Sequence, residues 1–88
     1  MRHIKLSGRE TSVVRAIGFT DTVLGAEIQD STHMDVEDVN DTLNSLMAAG
    51  LVESIPFYEQ VDLAEMPATA FEINPAYAQM LRGSLSRR

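Results

Sequence analysis

The stretch Asp35-Val36-Glu37-Asp38-Val39-Asn40-Asp41-Thr42-Leu43-Asn44-Ser45-Leu46-Met47-Ala48-Ala49-Gly50-Leu51-Val52-Glu53 decides how this chain folds. Val36, Val39, Leu43, Leu46 and Met47 fall at offsets 0, 3, 7, 10 and 11, one continuous apolar stripe along a helix. Asp35 is a good N-cap, and Asp38 follows at the third helical position. Gly50 supplies the left-handed residue that ends many helices, with Leu51 packing back as in a Schellman motif. The pattern then changes from helical to extended within two residues.

Working toward the N-terminus, Ser7 followed by Glu10 reads as a capping box, and Val13, Val14 and Ile17 recur at helical spacing. A first helix is predicted from about Gly8 to Ile17, closed by Gly18. Asp21 and Thr22 are expected to cap a shorter second helix that turns Ala26 and Ile28 inward and finishes near Thr32. Toward the C-terminus, Ile55, Phe57, Val61 and Leu63 share one face of a two-residue alternation, with Ser54, Tyr58, Gln60 and Asp62 on the other. Pro56 fits only an edge strand or a bulge. Met66-Pro67 should turn the chain so that Thr69 to Ile73 returns antiparallel. Asn74 then caps and Pro75 starts a last helix, with Tyr77, Met80 and Leu81 on one stripe before Gly83.

Three helices, a hairpin and a closing helix define an α+β, mostly α, fold class. The run from Val39 to Val52, with its Val-x3-Leu-x2-Leu-x3-Gly-Leu-Val pattern, resembles the third helix and first wing strand of bacterial and archaeal winged-helix transcriptional regulators. Gly25-Ala26-Glu27-Ile28 looks like their second helix, and Thr69 to Pro75 like their second wing strand entering the last helix. The resemblance covers about Ser7 to Leu81. It implies a three-helix core, a wing of two or three strands and a C-terminal helix, and it is carried mainly by core and turn residues, which specify fold better than function.

In DNA-binding members of such families the third helix enters the major groove and the wing touches the neighbouring backbone. Here the outward positions of that helix are read as Glu37, Asp38, Asn40, Asp41, Asn44 and Ser45, with three carboxylates and no base. Asn40 and Asn44 have the chemistry to read adenine. The wing's charged residues are Glu53, Glu59, Asp62 and Glu65. Since phosphate contacts supply much of DNA affinity, charge disfavours duplex binding through this surface. The expected function is therefore that of a non-enzymatic regulator or adaptor whose acidic third helix meets a protein partner, with a basic surface the complementary one. The alternative is a homodimeric DNA-binding regulator that contacts phosphates through Arg2, Lys5, Arg9, Arg82, Arg87 and Arg88.

Composition frames this choice. The 88 residues carry 7 Lys plus Arg against 13 Asp plus Glu and no cysteine. No Lys or Arg occurs from Ala16 to Leu81, an interval that holds 12 of the 13 acids. The molecule is polarised, with basic ends and an acidic middle. A chain this short buries roughly 60–65% of the surface its unfolded form exposes. One domain over residues 1–88 is expected, with its core between about 7 and 83. Without cysteine there is no disulfide or thiolate metal site. The apolar or glycine run from Leu46 to Val52 is too short to span a bilayer, and Met1 to Ser7 lacks a signal-like apolar stretch, so a cytoplasmic protein is expected.

Other candidate sites carry competing readings. Asp30, Asp35, Glu37, Asp38 and Asp41 form a solvated helix face or a surface for a basic protein; nothing matches the oxygen ligands and glycine of a calcium loop. His3 and His33 are far apart, which argues against zinc. No Gly-x-Ser-x-Gly, phosphate-cradling glycine loop or His-Glu-x-x-His is present, so neither an enzyme nor a cofactor is expected. Finally, Ile55, Phe57, Tyr58, Val61, Leu63 and Tyr77 exceed what a small core can take. They are expected either to close a satellite core against the last helix or to form a protein interface, most simply a homodimer.

Overall fold

The computed structural model describes residues 5–86. Arg2, His3, Arg87 and Arg88, named above as candidates, lie outside the described residues. Ser7 Oγ accepts a hydrogen bond from the Glu10 N–H at 3.2 Å, and Glu10 Oε1 accepts one from the Ser7 N–H at 2.9 Å. This reciprocal box starts α1 (Gly8–Ile17). Gly18, at φ 73°, ends it and donates its N–H to Val14 O at 3.0 Å. Val13, Val14 and Ile17 give α1 its buried face.

The second helix begins later than Asp21 and Thr22 suggest. Val23 and Leu24 first form a short strand, β1 (Val23–Leu24), and α2 (Gly25–Thr32) follows directly. Glu27 Oε1 takes the Leu24 N–H at 2.9 Å, doing the work expected of Asp21 and Thr22. Gly25 is required by packing. A Cβ there would collide with the Met66 carbonyl oxygen and stand 2.5 Å from its sulfur.

The third helix, α3 (Val36–Ala48), follows the sequence pattern, with Val39, Leu43 and Leu46 buried. Asp35 sits at the N-cap with extended backbone, although its side chain makes no capping hydrogen bond. The C-terminus is a Schellman turn: Gly50 N–H donates to Met47 O and Leu51 N–H to Leu46 O, both at 3.0 Å. Asn74 locks this turn to the far end of the sheet. Its amide Nδ2 donates to Gly50 O at 2.8 Å, and its backbone N–H donates to Leu51 O at 2.9 Å.

The hairpin keeps the two-residue alternation only as far as Ile55. The strand β2 (Val52–Ile55) turns Val52 and Ser54 inward, so Ile55 points out. Val52, held by the turn at Gly50 and opposite the buried Ile73, fixes the face, and strict alternation does the rest. Ser54 tolerates burial because its hydroxyl is satisfied, donating to Pro56 O at 3.0 Å and accepting from the Tyr58 N–H at 2.8 Å. Pairing stops at Pro56, which lacks the N–H to continue it. The chain returns through a 3₁₀ turn at Met66–Ala68 into β3 (Ala70–Ile73). The three strands form an antiparallel sheet in the order β1-β3-β2. Phe71 and Ile73 face the helices, and Phe71 is fully buried, a burial worth about 2–3 kcal/mol.

Asn74 Oδ1 caps the next turn by accepting from the Ala76 N–H at 3.0 Å. Pro75–Tyr77 is a single 3₁₀ turn, and α4 (Ala78–Ser86) runs on through Gly83 rather than stopping before it. Leu81 is fully buried and Leu85 packs against the core beyond Gly83, which extends the helix past the glycine. The result is a winged-helix-like α+β fold, mostly helical, with three helices, a three-stranded sheet and a C-terminal helix.

Candidate interaction surfaces on the third helix and the wing

The six residues read as the outward face of α3 do not form one accessible set. Glu37, Asp41 and Ser45 are exposed and continue to Ala48, a single stripe at offsets 0, 4, 8 and 11. Asp38 is turned toward α1, where Arg9 Nη1 lies 3.4 Å from its Oδ1. The pair is largely solvated and adds at most about 1 kcal/mol.

The two asparagines are withdrawn, contrary to their placement in the exposed set. Asn44 binds the backbone of the wing at both ends of its amide: Nδ2 donates to Val61 O at 3.0 Å, and Oδ1 accepts from the Val61 N–H at 2.8 Å. Asn40 Oδ1 is buried and has no hydrogen-bond partner among the described residues. Bidentate reading of adenine needs a free carbonyl and a free NH2 on one side chain, and neither asparagine offers both. Helical periodicity does not reveal this, because it records only positions on α3 and not the segment 56–65 that passes beside it.

The apolar residues of the wing also separate. Val61 is buried, 3% exposed, drawn into the core beside the amide clamp of Asn44. It is therefore not part of an exposed patch. Ile55, Phe57, Tyr58, Leu63 and Tyr77 are exposed, Phe57 at 75%. The satellite core expected between wing and last helix does not form, since Leu81 and Leu85 pack on the main core.

Among the described residues, the cations lie on or beside the first and last helices. Lys5 is exposed just before α1. Arg15 Nη2 donates to Leu85 O at 3.2 Å, and the Arg82 guanidinium stands 4.9 Å above the Phe19 ring, a cation–π contact. Arg9 and Arg15 are six residues apart on α1, so they point about 120° from each other, one toward α3 and the other toward α4. His33 is exposed at the left-handed residue that closes α2, φ 58°. No group of three or more His, Asp or Glu among the described residues is placed to hold a metal ion, and no described helix is long and apolar enough to cross a membrane.

No protein-family model, curated protein or solved structure matches the chain. Its likeness to the winged-helix fold rests on the order of its elements and its sheet topology.

Proposed function

We propose that the chain is a non-enzymatic winged-helix regulator or adaptor that acts through protein contacts in a transcription-related complex. One observation carries this reading: the accessible stripe of α3 is reduced to Glu37, Asp41, Ser45 and Ala48, with both asparagines withdrawn and no base on α3 itself, the neighbouring Arg9 of α1 being set against Asp38. A duplex presents a negative charge every ~1.7 Å of axis, and such a stripe repels it. A basic protein surface complements it. The link to transcription rests on the family resemblance alone.

A second reading, a DNA-binding homodimer that uses its terminal segments, is favoured by the confinement of every Lys and Arg to residues 2–15 and 82–88. One assay separates the two. Fluorescence anisotropy with labelled duplex DNA at low salt should show no saturable binding below the roughly 10⁻⁴–10⁻⁶ M range of non-specific association. Tight, salt-sensitive binding that weakens when Arg87 and Arg88 are neutralised would replace the first reading with the second.

A further inference from the structure

The outer face of the sheet, on the side away from Phe71 and Ile73, has a definite composition. The register places Leu24 of β1 opposite Ala70 of β3, and Ala70 opposite Ile55 of β2. These three make an apolar row that crosses all the strands. Leu24 is 43% and Ile55 45% exposed, so both ends of the row are open to solvent, with Ala70 half-buried between them. One step along the pleat, Glu72 stands directly opposite Glu53. Directly opposed residues on an antiparallel pair have Cβ atoms about 4.5–5.5 Å apart, and like charges there are destabilising.

The sheet and its loops contribute no Lys or Arg of their own, since the sequence has none between Ala16 and Leu81. The acidic row opens at its β1 end into a groove of about 490 Å³, where Asp21 and Thr22 join Glu72 in the lining and Phe19 forms a wall. Arg82 of α4 lays its guanidinium over the Phe19 ring at 4.9 Å and is not itself among the residues that line the groove.

We infer that this sheet face docks a basic amphipathic segment of a partner protein, with apolar side chains on the Leu24–Ala70–Ile55 row and Lys or Arg side chains over Glu72 and Glu53. The two rows are two residues apart along each strand, about 7 Å. Three strands span about 10 Å between their outer axes, so two helical turns cover the rows. Charge complementarity selects this occupant over a second copy of the chain, whose matching face brings the same two carboxylates. The surface is separate from the α3 stripe and holds whether α3 meets protein or DNA.

The test is a titration of the isotopically labelled full chain with a synthetic 12-residue helical peptide that has one Leu stripe and one Lys stripe, followed by amide chemical shifts. Saturable perturbations should centre on Leu24, Glu53, Ile55, Ala70 and Glu72. The paired variant Glu53→Gln/Glu72→Gln should bind at least tenfold more weakly with an otherwise unchanged spectrum. Ile55→Ser should also weaken binding although the carboxylates remain. A peptide with Glu in place of Lys should not bind. The inference is overturned by perturbations centred on the α3 stripe or spread over all acidic surfaces, by unchanged affinity of the Gln pair, by absence of binding up to millimolar peptide, or by concentration-dependent self-association of the free chain through Leu24 and Ile55.

Discussion

Two uncovered surfaces of this molecule are acidic, and their carboxylates stand in different physical situations. On α3, Glu37 and Asp38 occupy the first turn, where the helix dipole favours negative charge by about 0.3–1 kcal/mol each. Asp38 also has a cation, Arg9, within reach. On the sheet, Glu53 and Glu72 oppose each other across two strands, with an apolar row beside them and no Lys or Arg on the sheet itself. Acids on a helix N-terminal turn are accommodated by the fold itself, whereas acids paired across strands oppose it. A feature that opposes folding points more strongly to an external partner than one that the fold explains.

The largest effect that would break this comparison comes from Gly25→Ala. The new methyl group would drive into the Met66 backbone, displacing the start of α2 and with it Leu24 and the β1 edge. A loss of about 3 kcal/mol is expected, measured by urea unfolding. An unaffected midpoint would mean that α2 and the Met66 turn are not in close contact.

Next in size is Asn44→Ala. It deletes both hydrogen bonds to Val61 and leaves a partly buried N–H and C=O without partners, at a cost of about 1–3 kcal/mol. Amide exchange should accelerate at Val61 while α1 keeps its protection. If Asn44→Ala leaves stability unchanged, the asparagine is free after all and the adenine-reading role of α3 returns.

Smaller effects sharpen the contrast between the two acidic surfaces. Glu53→Gln or Glu72→Gln should raise stability by about 0.5 kcal/mol, and added salt should shrink that gain. Arg9→Ala should lower stability by about 0.3 kcal/mol or less, since it removes a solvated pair next to α3. Opposite signs at the two surfaces are the signature of one acidic row that opposes the fold and another that the fold accommodates.

How legible this was in the sequence depends on how local each signal is. The Ser7–Glu10 box and the Gly50–Leu51 turn involve residues three to five apart, and the structure forms both. β1 was not legible: two residues long, it exists only because Val23 and Leu24 meet Phe71 and Ala70 from the far end of the chain. The apolar string from Ile55 to Leu63 suggested a longer strand with Ile55, Phe57, Val61 and Leu63 on one face. Its phase is instead set by Val52, and its end by Pro56 and the hydroxyl of Ser54. The continuation of α4 past Gly83 follows from the burial of Leu81 and the packing of Leu85, tertiary contacts that a glycine-based stop does not register. At the candidate site, Glu37 and Asp41 were legible as outward acids, but the turn of Asp38 toward Arg9 and the commitment of Asn44 to Val61 were not.

The central claim, that the accessible face of α3 does not meet duplex DNA, is tested most directly by an amide chemical-shift titration of the full chain with a 20-base-pair duplex at about 50 mM salt, where phosphate contacts are strongest. The account predicts no saturable perturbation at Glu37, Asp41 or Ser45. Micromolar binding that shifts those three amides together with Asn40 and Asn44, and fades as salt is raised, would contradict it.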